Sequence, residues 1–192
     1  MPFSQTIPSD PLRRHRLTVD DYYKMGDAGI FTEKDRVELI EGEIIDMVPI
    51  GSQHAYLLNK LNRIFSKQII DTTLIRIQDP LRLDQHNEPE PDFVLVTNKN
   101  YSSHHPGPEE TLLIIEVADS SLTYDLEIKT PLYAQHKIPE VWVIDLGNKK
   151  IHTFQQPHDS SYQRQRACES GVISPIQASG LVLDIAKLWS NP

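Results

Sequence analysis

The run TLLIIEVAD (Thr111–Asp119) sets a carboxylate, Glu116, behind five residues of which four are Leu or Ile. A continuous apolar run of this length reads as a central strand buried on both faces, since a half-solvated strand would alternate. Such a strand rarely accepts a lone charge, because burying one costs several kcal/mol unless it is paired or bound to a metal. Two readings of Glu116 stand side by side. It is a salt-bridged or solvent-reaching strand end, with Lys129 as the obvious partner, or it belongs to a metal-binding or catalytic site.

A second apolar run, PDFVLVT (Pro91–Thr97), raises the same question at its opening. Pro91 and Asp92 both punctuate turns; Asp92 is also placed to hold a metal at the mouth of a sheet. Glu88 and Glu90, just before it, read as solvated charge. Between the two runs lies a polar Pro/Gly loop, NKNYSSHHPGPEE, whose His104 and His105 read as exposed.

Around this centre the chain supplies the rest of a sheet and its helices. Thr18 caps a short helix ending near Gly26. RVELIEGEIIDMV is a β-hairpin turning at Glu41–Gly42, where a two-residue connection needs positive φ; Val37, Leu39 and Ile44 face inward and Glu38 the other way. GSQHAYLLNKLNRIFSKQII is the strongest helix, with Ser52 as candidate cap, His54 in the first turn and Leu57, Leu58, Leu61, Ile64 and Phe65 at helical spacing. TLIRIQDPLRLD reads as another strand. SLTYDLEIKTPLYAQHKI reads as a helix that kinks or restarts at Pro131, which has no N–H for residue 127. In it, Asp125 favours the helix dipole or positions Lys129. A second hairpin turns at Leu146–Gly147–Asn148, followed by the strand YQRQRACE and a closing helix in LVLDIAKLWS; Tyr133 and Trp142 read as core. This order predicts an α/β or α+β fold, a mixed sheet flanked by helices. Residues 1–16 read as a flexible arm and 17–192 as one domain.

Composition narrows the function. The 192 residues carry a net charge of −8, which argues against a large phosphate-binding footprint. Arg13, Arg14 and Arg16, Lys149–Lys150, and Arg164 with Arg166 are small basic clusters on an acidic background. One cysteine, Cys168, excludes an internal disulfide, shows no activating surroundings, and fits a reducing compartment. The first residues show prolines and charges where a signal peptide has an apolar core, and no window has the ~18 apolar residues of a membrane helix. A cytoplasmic protein is expected. Spacings for zinc, phosphate-cradling glycines and a nucleophile elbow are all missing.

If Asp92 and Glu116 meet across neighbouring strands, they form a hard, oxygen-rich site suited to Mg²⁺ or Mn²⁺. Lys129, on the following helix, can reach the same place. Pro91–Asp92, Glu116 and Lys129 in this order resemble the PD-(D/E)XK nuclease superfamily. VELIEGEI, His54 at a helix start, PDFVLV, IIEVADSS, YDLEIKTPLYAQHKIPEVWVID and SGLVLDI together resemble a large bacterial family of restriction-endonuclease type, also described as a domain of unknown function. The resemblance runs from about Leu17 to Leu188 and implies a restriction-endonuclease-like fold. It implies Asp92 and Glu116 as metal ligands with the Val117 carbonyl as a third, and Lys129 as the catalytic lysine. Glu38 matches an additional acidic residue and His54 a recurrent histidine near the phosphate. Ala118 stands where the superfamily lysine would be, and Lys129 carries that amine on the next helix. The function implied is Mg²⁺-dependent hydrolysis of nucleic acid, DNA being the expected substrate, by a homodimer. A binding or regulatory module that keeps the fold without catalysis, and a hydrolase of another phosphate ester, are the alternatives.

Overall fold

Parity of side chains along the strands organises the molecule. The computed structural model describes residues 14–32, 34–178 and 180–190. Its centre is a six-stranded sheet in which strands β3 (Thr73–Arg76), β4 (Phe93–Thr97), β5 (Thr111–Ala118), β6 (Glu140–Asp145), β7 (Lys150–His158) and β8 (Ser161–Cys168) lie in sequence order. All pairings are antiparallel except β5 with β6, where Glu116 stands opposite Val143. A parallel pair needs a crossover, and a helical segment supplies it.

The two central runs are buried on both faces, as their apolar continuity predicts. Phe93, Leu95, Leu113, Ile115, Val117, Trp142 and Ile144 pack against α2 (Ser52–Ser66) and α5 (Ile185–Trp189). Val94, Val96, Ile114, Ala118, Val141 and Val143 face Leu132, Tyr133 and Ala134 of α4 (Thr130–Gln135). Strand periodicity therefore assigns Glu116, between Ile114 and Ala118, to the α4 side. The acidic residue and the later helix meet because of that parity.

The crossover is not one helix. A single turn, α3 (Leu122–Tyr124), leads into a π-helical turn over Asp125–Lys129, after which α4 restarts with Pro131 near its beginning. Pro131 lacks the N–H that would continue an α ladder, and the Thr130 N–H and hydroxyl both return to the Asp125 carbonyl, the hydroxyl at 2.7 Å. Both Asp125 and Lys129 end up buried.

The N-terminal helix α1 (Val19–Asp27) carries the expected Thr18 capping box, closed by Asp21. In the hairpin of β1 (Val37–Ile40) and β2 (Glu43–Asp46), Glu41 and Gly42 have φ of 53° and 75°. A Cβ on Gly42 would come within 2.7 Å of Arg16 Cβ, so glycine is needed both for conformation and for space. The expected arm at 1–16 falls on residues outside the described ones up to position 13; beyond it, Arg14 pairs with Glu43 at 3.3 Å and Arg16 donates to the Glu41 carbonyl at 2.7 Å.

Several local expectations change. The helix cap is Gly51, not Ser52, and it offers no side-chain bond. Only Thr73–Arg76 of TLIRIQDPLRLD is strand, and LVLDIAKLWS begins with β10 (Leu183–Asp184), paired to β9 (Val172–Ile173). His105 is half-buried beside Arg76, whereas His104 is exposed. Glu88 is buried against Arg82 and bridged to Leu39, and Glu90 is half-buried. Neither is solvated charge.

Candidate active site

A cleft of about 350 Å³ opens between the β1–β2 hairpin, the first turn of α2, the start of β4, the end of β5 and the π turn. Glu38, His54, Asp92, Glu116, Val117 and Lys129 all line it, so five elements far apart in sequence bring the residues implied by the resemblance to one place.

At the start of β4, the Asp92 carboxylate is held from three sides. Its Oδ2 accepts from the Val117 N–H at 2.8 Å and lies 2.9 Å from His54 Nε2; Gln78 Nε2 donates to Oδ1 at 3.3 Å. The Asp92 N–H donates in turn to Glu116 Oε2 at 3.2 Å. Beside it, Glu116 Oε1 accepts from the Tyr133 hydroxyl at 2.6 Å. The other ring nitrogen of His54, Nδ1, is buried without a hydrogen-bond partner among the described residues.

Lys129, 5 % exposed, reaches Glu38 Oε2 at 3.1 Å and Glu116 Oε1 at 3.4 Å. The ammonium thus sits on the α4 face of the sheet, the face that a lysine at position 118 would share with Glu116. Ala118 leaves that face to packing, and the π turn delivers the charge instead. Glu38 is also fixed by the Glu90 N–H at 3.1 Å. It is buried, so the expected alternation along β1 yields to a hairpin covered on both sides.

The balance of charge in this cluster is negative. Glu38, Asp92, Glu116 and Asp125 surround one lysine, and Asp125 is itself held by the Ser121 hydroxyl at 2.6 Å. Burial, reinforced by Asp125 and Asp92, pushes the Glu116 carboxyl up to about 8 despite the attraction of Lys129. Burial likewise raises Asp125 to about 6. Lys129 moves up as well, because the surrounding carboxylates, Glu116 first, outweigh its desolvation.

This excess is the test of whether a cation suits the site. The cleft's donors are carboxylate oxygens, a set that fits a hard divalent ion in chemistry and in charge. Among the described residues, no three His, Cys, Asp or Glu side chains are already gathered in ligating geometry. Each carboxylate is turned onto a protein donor instead.

Sequence reasoning left out several residues that shape the cleft. Tyr133 was read as core, which it is, yet its hydroxyl grips Glu116. It lies four residues after Lys129, a helical interval that would have placed it on the same side. Gln78, Glu90 and Arg36 come from irregular segments, and no periodic signal marks them.

A mixed sheet with an Asp–Glu–Lys cluster at one end of its central strands defines a restriction-endonuclease-like fold. Residues 19–186 match the model of the Uma2 family, described as "Putative restriction endonuclease", and the chain belongs to that family. Among solved structures, one described as "a putative nuclease belonging to DUF820" from Anabaena variabilis superposes with a TM-score of 0.70 at 16% identity, covering 90% of this chain and 97% of its own. No curated protein matches the sequence. Among the described residues, no helix is long and apolar enough to cross a membrane.

Proposed function

We propose that the protein is a metal-dependent endonuclease that hydrolyses phosphodiester bonds in nucleic acid, DNA foremost. The carrying observation is that Asp92, Glu116 and Lys129 line a single cleft, with the lysine 3.4 Å from Glu116. Asp92 and Glu116, with the Val117 carbonyl, would hold Mg²⁺ or Mn²⁺. Such an ion, when bound, binds a phosphate oxygen, lowers the pKa of a coordinated water and offsets developing charge.

The chain's own groups do the remainder. Lys129 places a fixed positive charge where the transferring phosphoryl group becomes more negative. Glu38, anchored by the Glu90 N–H, keeps that ammonium from swinging away. His54 orients Asp92 through Nε2. Tyr133 locks the rotamer of Glu116.

Nicking of supercoiled plasmid in Mg²⁺ or Mn²⁺ tests the assignment. Wild type cleaves, and Asp92→Ala loses at least a hundredfold; equal nicking by both removes the proposal. A second reading, a nuclease-fold module without catalysis, draws on the protein donors that occupy each carboxylate. Calorimetric titration with Mn²⁺ separates the two, since carboxylate-dependent binding favours the enzyme.

Residues 17–192 act on this reading as one domain in a cytoplasmic protein. Two copies pair so that both strands are cut, and light scattering showing only 22.0 kDa particles at assay concentration would contradict the dimer.

A further inference from the structure

The stretch Met47–Ile70 is the longest in the chain without Asp or Glu, and it carries Lys60, Arg63 and Lys67. With its charge of +3 set aside, the net −8 of the chain becomes −11. The positive charge is also ordered. At 100° per residue, Tyr56, Lys60, Arg63 and Lys67 fall within an arc of about 60° on α2. That arc lies away from Leu57, Leu58, Leu61 and Phe65, which face the core. Tyr56, Arg63 and Lys67 are exposed, and the Lys60 ammonium lies 5.6 Å from the Tyr56 ring centre while donating to the Ser190 carbonyl. Among the described residues, none of the three cations pairs with a carboxylate.

The helix that carries this stripe starts at the cleft. Gly51 and His54, at the start of α2, line the cleft, and so do Val48 and Ile50 in the loop before it. Those two apolar side chains are 57% and 42% exposed, an unusual investment beside a polar site. From Tyr56 to Lys67 the stripe runs for about 16 Å, at 1.5 Å per residue.

We infer that the outer face of α2 and the Val48–Ile50 lip form the docking track for an unpaired nucleic-acid strand leading into the cleft. This rests on the nuclease reading of the cleft and adds to it the form of the substrate. A duplex engages a wide phosphate surface, whereas the positive charge beside this cleft is a stripe one helix across on a chain with −11 elsewhere. A single strand uses all that is present. Its phosphates follow Lys60, Arg63 and Lys67, and its base faces meet the Tyr56 ring and the apolar lip.

The test is fluorescence anisotropy in EDTA with the full chain, using a labelled 20-nucleotide single strand and the same sequence as a duplex. Wild type binds the single strand at least tenfold more tightly. Arg63→Gln with Lys67→Gln weakens that binding and lowers the slope of log K against log salt by about 1.4, or 0.7 per lost phosphate contact. Tyr56→Ala weakens it by at least about fivefold. Arg164→Gln with Arg166→Gln, on β8, matches wild type. Melting by circular dichroism shows that the variants are folded. An unchanged salt slope in the Arg63/Lys67 variant, equal affinity for duplex, or no binding by wild type overturns the inference. Because Asp92→Ala keeps this binding while losing metal-dependent nicking, a failed track and a failed nuclease assignment give different results.

Discussion

Lys129→Met removes the one ammonium in a buried cluster and leaves its shape nearly intact. Glu38, at 3.1 Å, and Glu116, at 3.4 Å, then face each other and Asp125 without a counter-charge. Breaking a buried ion pair from one side costs about 3–5 kcal/mol. For a domain of this size each kcal/mol moves the melting temperature by about 2–4 °C, so Tm should fall by roughly 6–20 °C at pH 8. The loss depends on pH in a defined direction. Glu116, raised to about 8 in the folded chain, keeps its proton where the unfolded carboxyl, near 4.5, has lost it. The folded state therefore binds more protons across that window, and wild-type stability declines as pH rises through it. At pH 5 both Glu116 and Asp125 hold protons, so removing the ammonium strands less charge and the variant recovers. Glu116 is only half ionised at pH 8, so most of the difference comes from Asp125, ionised at pH 8 and largely protonated at pH 5. Every pKa unit by which Lys129 holds Asp125 down is worth about 1.4 kcal/mol, and the deficit at pH 5 should be smaller than at pH 8. Urea unfolding of both proteins at the two pH values measures it. A deficit under about 1 kcal/mol at pH 8, or the same deficit at both, refutes the electrostatic account of the cluster.

Metal binding should appear as heat stability. Mg²⁺ or Mn²⁺ at a hundred times its Kd adds about 2.7 kcal/mol, a Tm rise of roughly 5–11 °C, and Asp92→Asn with Glu116→Gln should abolish the rise in differential scanning fluorimetry. Tyr133→Phe removes a 2.6 Å bond to a buried carboxylate and should cost about 1–3 kcal/mol in urea unfolding, with nicking reduced through the loosened Glu116. Gly42→Ala and Gly29→Ala both strain a φ of 75°, but only the first meets atoms within 4 Å. Both should cost about 1–2 kcal/mol from conformation, and the Gly42 variant should lose at least a further 1 kcal/mol by chemical denaturation.

The central sheet was legible because strands buried on both faces have no choice but to be apolar throughout. A carboxylate inside such a run is conspicuous, which is how Glu116 announces itself, and Pro91 marks Asp92 at the neighbouring strand's mouth. The roles given to these residues came from a resemblance in order and spacing; their meeting in one cleft comes from parity along β5 and the turn before α4. What escaped the sequence was set by packing at long range. Glu88 and Glu90 sit among prolines and other acids, a local context that looks solvated, yet the β1 hairpin and Arg82 cover one and half-cover the other. Pro131 signals a break in the helix, but not the added residue of the π turn that buries Asp125 and Lys129 together. Glu140 is a useful contrast: it is wholly buried and satisfied by Trp142, Gln155 and the Ile176 N–H at 2.7–2.8 Å, and it does not line the cleft. Burial of a carboxylate does not by itself mark a site.

The helical crossover that supplies Lys129 also sets the order of events during synthesis. Glu38 must wait for a residue more than 80 positions later, as its contact with Tyr124, 86 residues away in sequence, already requires. Contacts of such long range close late, after the loop entropy between them has been met. A ribosome that has released only the hairpin, α2 and β4 has made much of the cleft wall, Arg36 included, but not the lysine at its centre. If the cleft works as proposed, its catalytic set is complete only once the crossover has closed over the hairpin.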